Sequence, residues 1–281
     1  MSERPSTPDP SGALFGDVWF PAPAEGDNQR AWDLRLEELA LKAQPEHWDD
    51  PIEPTGAFPV LGNYLRYSYA RLKQEGKFLR TPDSRDVEIG AFNTGLFTPN
   101  FEPIFALLEL NRNEDKQPWV FKDWVAPSDR RLRGLELEKV RPPTYFKQAD
   151  DLIYNPNLDL IANLDHILDD REDRWPDVLS SDPIQRRLVL IGAIQEVEKR
   201  VRMNWRLAVP MFYWPRNSEE GWIQLLLPLR LASDKPAHLA LVIDKRDQKY
   251  FGYTILTLSM AYKNARLITR PESDWLANPG V

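Results

Sequence analysis

A change of hydrophobic period near residue 205 constrains this chain more than any other feature. From Pro183 to about Asn204, Ile184, Leu188, Ile191, Ile194, Val197 and Val201 recur every three or four positions. That spacing predicts the longest helix of the protein. Five apolar runs then follow closely: LAVPMFYW, WIQLLLPLRL, HLALVIDKR, KYFGYTILT and ARLIT. Runs of this length, separated by short turns, predict consecutive strands. A helix with one apolar face must cover such a sheet to bury either surface. The expected fold is α+β: N-terminal helices and a long central helix packed on a mainly antiparallel C-terminal sheet.

The first half is read in the same way. Trp32, Leu36, Leu39 and Ala43 mark a helix over 28–43, and Leu61, Leu65, Tyr69 and Leu72 mark another over 60–75, closed by Gly76. The prolines at 45, 51, 54 and 59 predict a loop between them. Alternating runs and turn residues after Gly76 predict a hairpin. PIFALLEL, 103–110, reads as a short helix with proline at its start. PWVFKDW, 118–124, reads as a buried strand. A short strand is expected at Asp159–Asn163, then a turn or short helix through Asp165 and His166. The Ser- and Pro-rich start, residues 1–12, is expected to be a disordered tail, residues 13–276 one domain, and residues 277–281 a second tail.

Composition narrows the chemistry. A chain of 281 residues can bury a large core unaided, and it has no cysteine, so disulfides, thiolate nucleophiles and cysteine-ligated zinc are excluded. His47, His166 and His238 are not at ligand spacing, so no transition-metal site is expected. A carboxylate-bound Mg²⁺ stays open, and no cofactor or oligomeric state is legible. The net charge of −7 opposes wholesale coating of nucleic acid but allows a local basic groove. No apolar run reaches the length of a membrane span, and the N-terminus lacks an apolar signal core. A cytoplasmic location is the expectation.

Six groups of residues carry candidate chemistry. On the long helix, Arg186, Arg187, Lys199, Arg200 and Arg202 lie on a basic face with Arg206 and Asn204 just beyond, suited to phosphate oxygens or else to pairing with Glu196 and Glu198. Asn93-Thr94-Gly95 offers either an anion-holding turn or a plain hairpin turn. Lys122, Arg130 and Arg131, near Trp124 and Asp129, suit a stacked base and its phosphate, or a surface ion-pair cluster. Asp165 and His166 are candidates for acid–base catalysis, unless Asp165 merely caps a short helix. Tyr213, Gln224, Tyr253 and Thr254 interrupt apolar strands and could face a ligand or solvent. Tyr262, Asn264 and Arg266 close the C-terminal run; in an extended stretch Asn264 and Arg266 share one face.

Several long segments resemble one family. They are Ala208 to Trp214, Ile223 to Leu229, Thr254 to Ile268 and Pro271 to Leu276, together with Phe92-Asn93-Thr94-Gly95-Leu96, Asn163 to Leu168 and Arg200-Val201-Arg202-Met203-Asn204. The family so resembled is bacterial and of unknown function. Some of its members are joined to cold-shock or OST-HTH (LOTUS) domains, which bind RNA. The resemblance implies an RNA context by association and implies no reaction. Three readings follow. The first is an RNA- or nucleotide-binding domain with a cleft of Arg, Lys and amide side chains. The second is a phosphoryl- or nucleotidyl-transferring enzyme or phosphoesterase using Asp165 and His166. The third is an interaction scaffold with no small ligand.

Overall fold

The computed structural model describes residues 10–22, 28–50, 56–82, 88–132, 135–137, 140–169, 174–176, 179, 182–215 and 218–276. Of the expected tail at 1–12, residues 1–9 lie outside these residues and 10–12 form a 3-10 turn; the expected tail at 277–281 also lies outside them. The protein is α+β and forms two compact units, Met1–Thr144 with Arg216–Glu219, and Tyr145–Pro215 with Glu220–Val281.

The first unit opens with a single 3-10 turn, Pro10–Gly12, whose Ser11 carbonyl accepts a hydrogen bond from Arg66 Nε at 2.7 Å. Then come α1 (Ala13–Asp17), β1 (Val18–Trp19), α2 (Asn28–Lys42) and α3 (Pro59–Gln74). The strands β2 (Leu79–Pro82), β3 (Glu88–Phe97), β4 (Pro103–Leu110) and β5 (Trp119–Val125) follow. α3 starts on Pro59 and ends as the sequence predicts: Gly76 takes φ 65°, and Lys77 N donates to Leu72 O at 2.9 Å across the helix end. The sheet runs β1-β5-β4-β3-β2, with β1 parallel to β5 and the rest antiparallel. The expected hairpin is β2–β3.

PIFALLEL is not a helix; it is β4, at the centre of this sheet. Its residues Ile104, Phe105, Ala106, Leu107 and Leu108 are all buried. A strand covered on both faces needs no alternation, and a short apolar run has no period that separates it from a helix. Two ladder partners decided the matter over the local helix propensity of Ala and Leu.

The second unit contains a 3-10 turn (Ala149–Leu152), β6 (Asp159–Ala162), α4 (Leu164–Asp169) and α5 (Pro183–Met203). A second 3-10 turn (Trp205–Leu207) leads to β7 (Val209–Tyr213), β8 (Trp222–Leu229), β9 (Leu239–Arg246), β10 (Lys249–Thr257) and α6 (Leu258–Ala265). The order is β6-β10-β9-β8-β7, antiparallel except for β6 beside β10. α5 starts on Pro183, and the Asp182 carboxylate accepts from Ile184 N at 2.9 Å. Its Leu190, Ala193, Ile194, Val197 and Val201 pack on Leu225, Leu227, Leu241, Ile243 and Ile255. The long helix thus covers the C-terminal sheet as expected, but its first turns do not take part: Ile184 and Leu188 are exposed. The N-terminal helices belong instead to the first unit.

ARLIT is not a strand. The Thr257 hydroxyl accepts from Met260 N at 3.2 Å and starts α6 directly at the end of β10. No helix among the described residues is long and apolar enough to cross a membrane.

Candidate functional site

In the first unit, the candidate ligand groups other than Arg130 are committed to the fold or to carboxylates. Asn93 is buried; its Nδ2 donates to Val140 O at 3.0 Å and its Oδ1 accepts from Gly95 N at 2.9 Å. Both ends of the amide are used to hold a bulge in β3, where the pairing with β4 shifts between Asn93 and Phe97. Gly95 adopts φ 77°, and a Cβ there would overlap the Tyr64 hydroxyl. Lys122 Nζ lies 2.6 Å from Glu109 Oε2 on the neighbouring strand. Arg131 is held by Asp129 at 2.8 Å and Asp123 at 2.7 Å. The hydrogen bond from Arg131 lowers the pKa of Asp129, and the same bond raises that of Arg131. Arg130 is exposed in the 3-10 turn Arg130–Leu132. A cavity of about 250 Å³ in this unit is lined by Phe15, Trp19, Phe20 and Trp32, and among the described residues no charged side chain lines it.

In the second unit, Asp165 and His166 are exposed neighbours on α4. Consecutive helical residues point about 100° apart, so the two do not form a preorganised dyad. The cap of α4 comes from Asn163, whose Oδ1 accepts from His166 N at 3.3 Å. Tyr213 is exposed and meets Trp222 edge to face at 5.2 Å. Tyr262 and Arg266 are buried, and Asn264 is half-buried. Because this stretch is α6 and its cap, Asn264 and Arg266 stand about 200° apart around the axis and do not share a face. Arg202 is bridged to Glu198 at 3.0 Å and to Asp159 at 3.2 Å; these hydrogen bonds, that of Glu198 first, raise its pKa. Burial pushes the Tyr154 phenol, stacked on Tyr250 at 4.8 Å, up to about 12.

Two cavities in this unit have opposite electrostatic character. One, of about 570 Å³, is lined by the buried Gln224 with Asp150, Asp151, Asp244 and Asp247 against Lys245 and Arg246. Arg246 Nε is 3.1 Å from Asp244 Oδ2 and so is partly neutralised. With four carboxylates against two cations, this cavity repels phosphate.

The other is a groove of about 840 Å³ at the C-terminal end of α5. Arg200, Asn204, Arg206 and Arg270 line it, together with Glu272 and Asp274. Asn204 ends α5 and starts the following turn: its N–H donates to Arg200 O at 2.8 Å and its Oδ1 accepts from Arg206 N at 3.3 Å. The C-terminal segment is tied to that turn through Trp275 Nε1 to Leu207 O at 2.9 Å and Ser273 Oγ to Arg206 O at 3.3 Å. Residues far apart in the chain therefore build one wall each. Arg200 lies 3.5 Å from Glu196, whose stronger partner is Arg230 at 2.9 Å. The Arg206 guanidinium lies over the Trp205 ring, 5.4 Å from its centroid. Among the described residues, no carboxylate pairs with Arg206 or Arg270. No three His, Asp or Glu residues among those described are placed to hold a metal ion.

Of the candidate ligand residues, then, Arg200 and Asn204 come together, with Arg206 beside them. Arg270 was missed, because in sequence it lies just beyond the last apolar run and outside every candidate group. The Arg-Pro-Glu-Ser-Asp-Trp segment carries its own signal: Trp275 is an anchoring aromatic that a free tail does not need.

Comparison with known proteins adds a family and no activity. Residues 39–275 match a family model described as "Domain of unknown function (DUF3825)". No curated protein and no solved structure matches the chain.

Proposed function

We propose that this chain, which belongs to the DUF3825 family, binds a phosphate-rich ligand, RNA or a nucleotide, in the groove of Arg200, Asn204, Arg206 and Arg270. One observation carries the reading. Arg206 and Arg270 line a groove large enough for a nucleotide and, among the described residues, have no carboxylate partner. Most other candidate cations are already neutralised, Lys122 by Glu109, Arg131 by Asp123 and Asp129, and Arg202 by Glu198 and Asp159. A guanidinium without such a partner keeps its paired donors for phosphate oxygens. The Asn204 Nδ2, exposed at the rim, adds a donor for a base or sugar edge. The resemblance to proteins joined to RNA-binding domains agrees with an RNA ligand. Binding, not turnover, is the proposal, because Asp165 and His166 line neither cavity of this unit.

The test is fluorescence anisotropy with labelled RNA at low salt. Charge reversal at Arg206→Glu or Arg270→Glu is expected to weaken binding about tenfold or more each. Lys122→Ala, which removes one partner of an exposed pair in the first unit, is expected to leave binding unchanged. Equal affinities for all four proteins would overturn the assignment of the groove.

A further inference from the structure

We infer that the ligand of this groove is a single-stranded polynucleotide, and that Trp205 is the residue that selects it. The inference rests on the reading of the groove as a phosphate site and names its class of ligand.

Trp205 stands between Asn204 and Arg206, both of which line the groove. It is 47% exposed, and Met203 beside it is 90% exposed. Leaving an indole half in water forgoes burial that a core position would give it. Two other exposed rings of this unit offer a contrast, while a third, Phe146, 38% exposed, likewise meets no ring among the described residues. Tyr213 and Trp222, 40% and 37% exposed, pack edge to face on each other. Among the described residues, no aromatic ring packs on Trp205, and its Nε1 has no hydrogen-bond partner. Its one described contact of this kind is the guanidinium of Arg206 over the ring.

An indole in a tight turn, with the Arg206 guanidinium over one face of its ring, leaves the other face as a platform for a planar group that carries a phosphate. The turn is held by its own bonds, Leu207 N to Asn204 O at 3.1 Å and Ala208 N to Trp205 O at 3.1 Å. Stacking on it requires a base with a free face. A duplex hides its base faces in its own stack, whereas a single strand can turn a base out onto the ring while its phosphates meet the arginines. Such stacking tolerates any base, so the platform selects strandedness rather than sequence.

The experiment compares a labelled oligouridine with a duplex of the same length, using the full chain and its Trp205→Ala and Trp205→Phe variants. The unmodified protein should bind the single strand more tightly than the duplex. Trp205→Ala should weaken single-strand binding by about tenfold without changing duplex binding, and Trp205→Phe should restore most of the loss. Two results would sink the stacking assignment but leave the phosphate groove standing. One is equal affinity for both forms. The other is an unaffected Trp205→Ala variant alongside weakened Arg206→Glu and Arg270→Glu variants. Failure of the unmodified protein to bind either form at low salt would remove both readings. If Trp205→Ala loses its fold, the comparison of the two RNA forms on the unmodified protein still decides.

Discussion

Arg202 and Arg206 stand one helical turn apart in sequence and meet different fates. Arg202 is held between Glu198 and Asp159, whereas Arg206 lines a groove and lies over the indole of Trp205. A basic run in a sequence cannot separate the two. Glu198 is visible at the i,i+4 spacing, but Asp159 belongs to a strand that only the fold brings near. The amide of Asn93 teaches the same lesson in reverse. Its position two residues before a glycine suggests a ligand turn, and both its polar atoms instead fasten the bulge of β3. Gly95 is the pivot of that bulge. Gly95→Ala would force a side chain into φ 77° and against the Tyr64 hydroxyl. We expect a loss of about 1–3 kcal/mol, read as a lower midpoint in urea unfolding, with RNA binding by the folded fraction unchanged. An unchanged midpoint would show that the bulge is not under this constraint.

At the level of elements, strong periodicity was readable and short apolar runs were not. α5, α3 and the four strands β7 to β10 were legible because each carries its own pattern and its own stops: Pro183 and Asp182 at one end of α5, Gly76 at the end of α3. PIFALLEL carries no alternation, because β4 is flanked by β3 and β5 and buried on both faces. The start of α6 depends on a single hydroxyl, that of Thr257, directly after β10. A strand that becomes a helix without a turn leaves no break in hydrophobicity to read. Thr257→Ala removes the cap and should lower stability by about 1 kcal/mol, detected as a lower thermal midpoint by circular dichroism. The Thr257→Ser variant, which keeps the oxygen, should stay near the unmodified value. If Thr257→Ala and Thr257→Ser melt alike, the cap is not what starts α6.

On the scale of the whole molecule, charge is arranged rather than abundant. The chain carries a net charge of −7, yet one groove gathers three arginines against two carboxylates, while the cavity around Gln224 holds the opposite balance. Net charge therefore describes neither cavity, as local fields act over about a Debye length. The α+β class was legible from the order of periodic segments, and the first sheet only in part, as the β2–β3 hairpin and β5, because its central strand resembles a helix in sequence. The groove was half legible: Arg200, Asn204 and Arg206 follow one another along the chain, and Arg270 joins them only through the anchoring of Trp275.

The salt dependence of single-stranded RNA binding tests the central claim most directly. Three arginine–phosphate contacts release counterions so that log K falls against log salt with a slope of about −2. The double variant Arg206→Glu with Arg270→Glu should flatten that slope to near zero along with its loss of affinity. A slope near zero in the unmodified protein, or an unaltered slope in the double variant, would contradict the account.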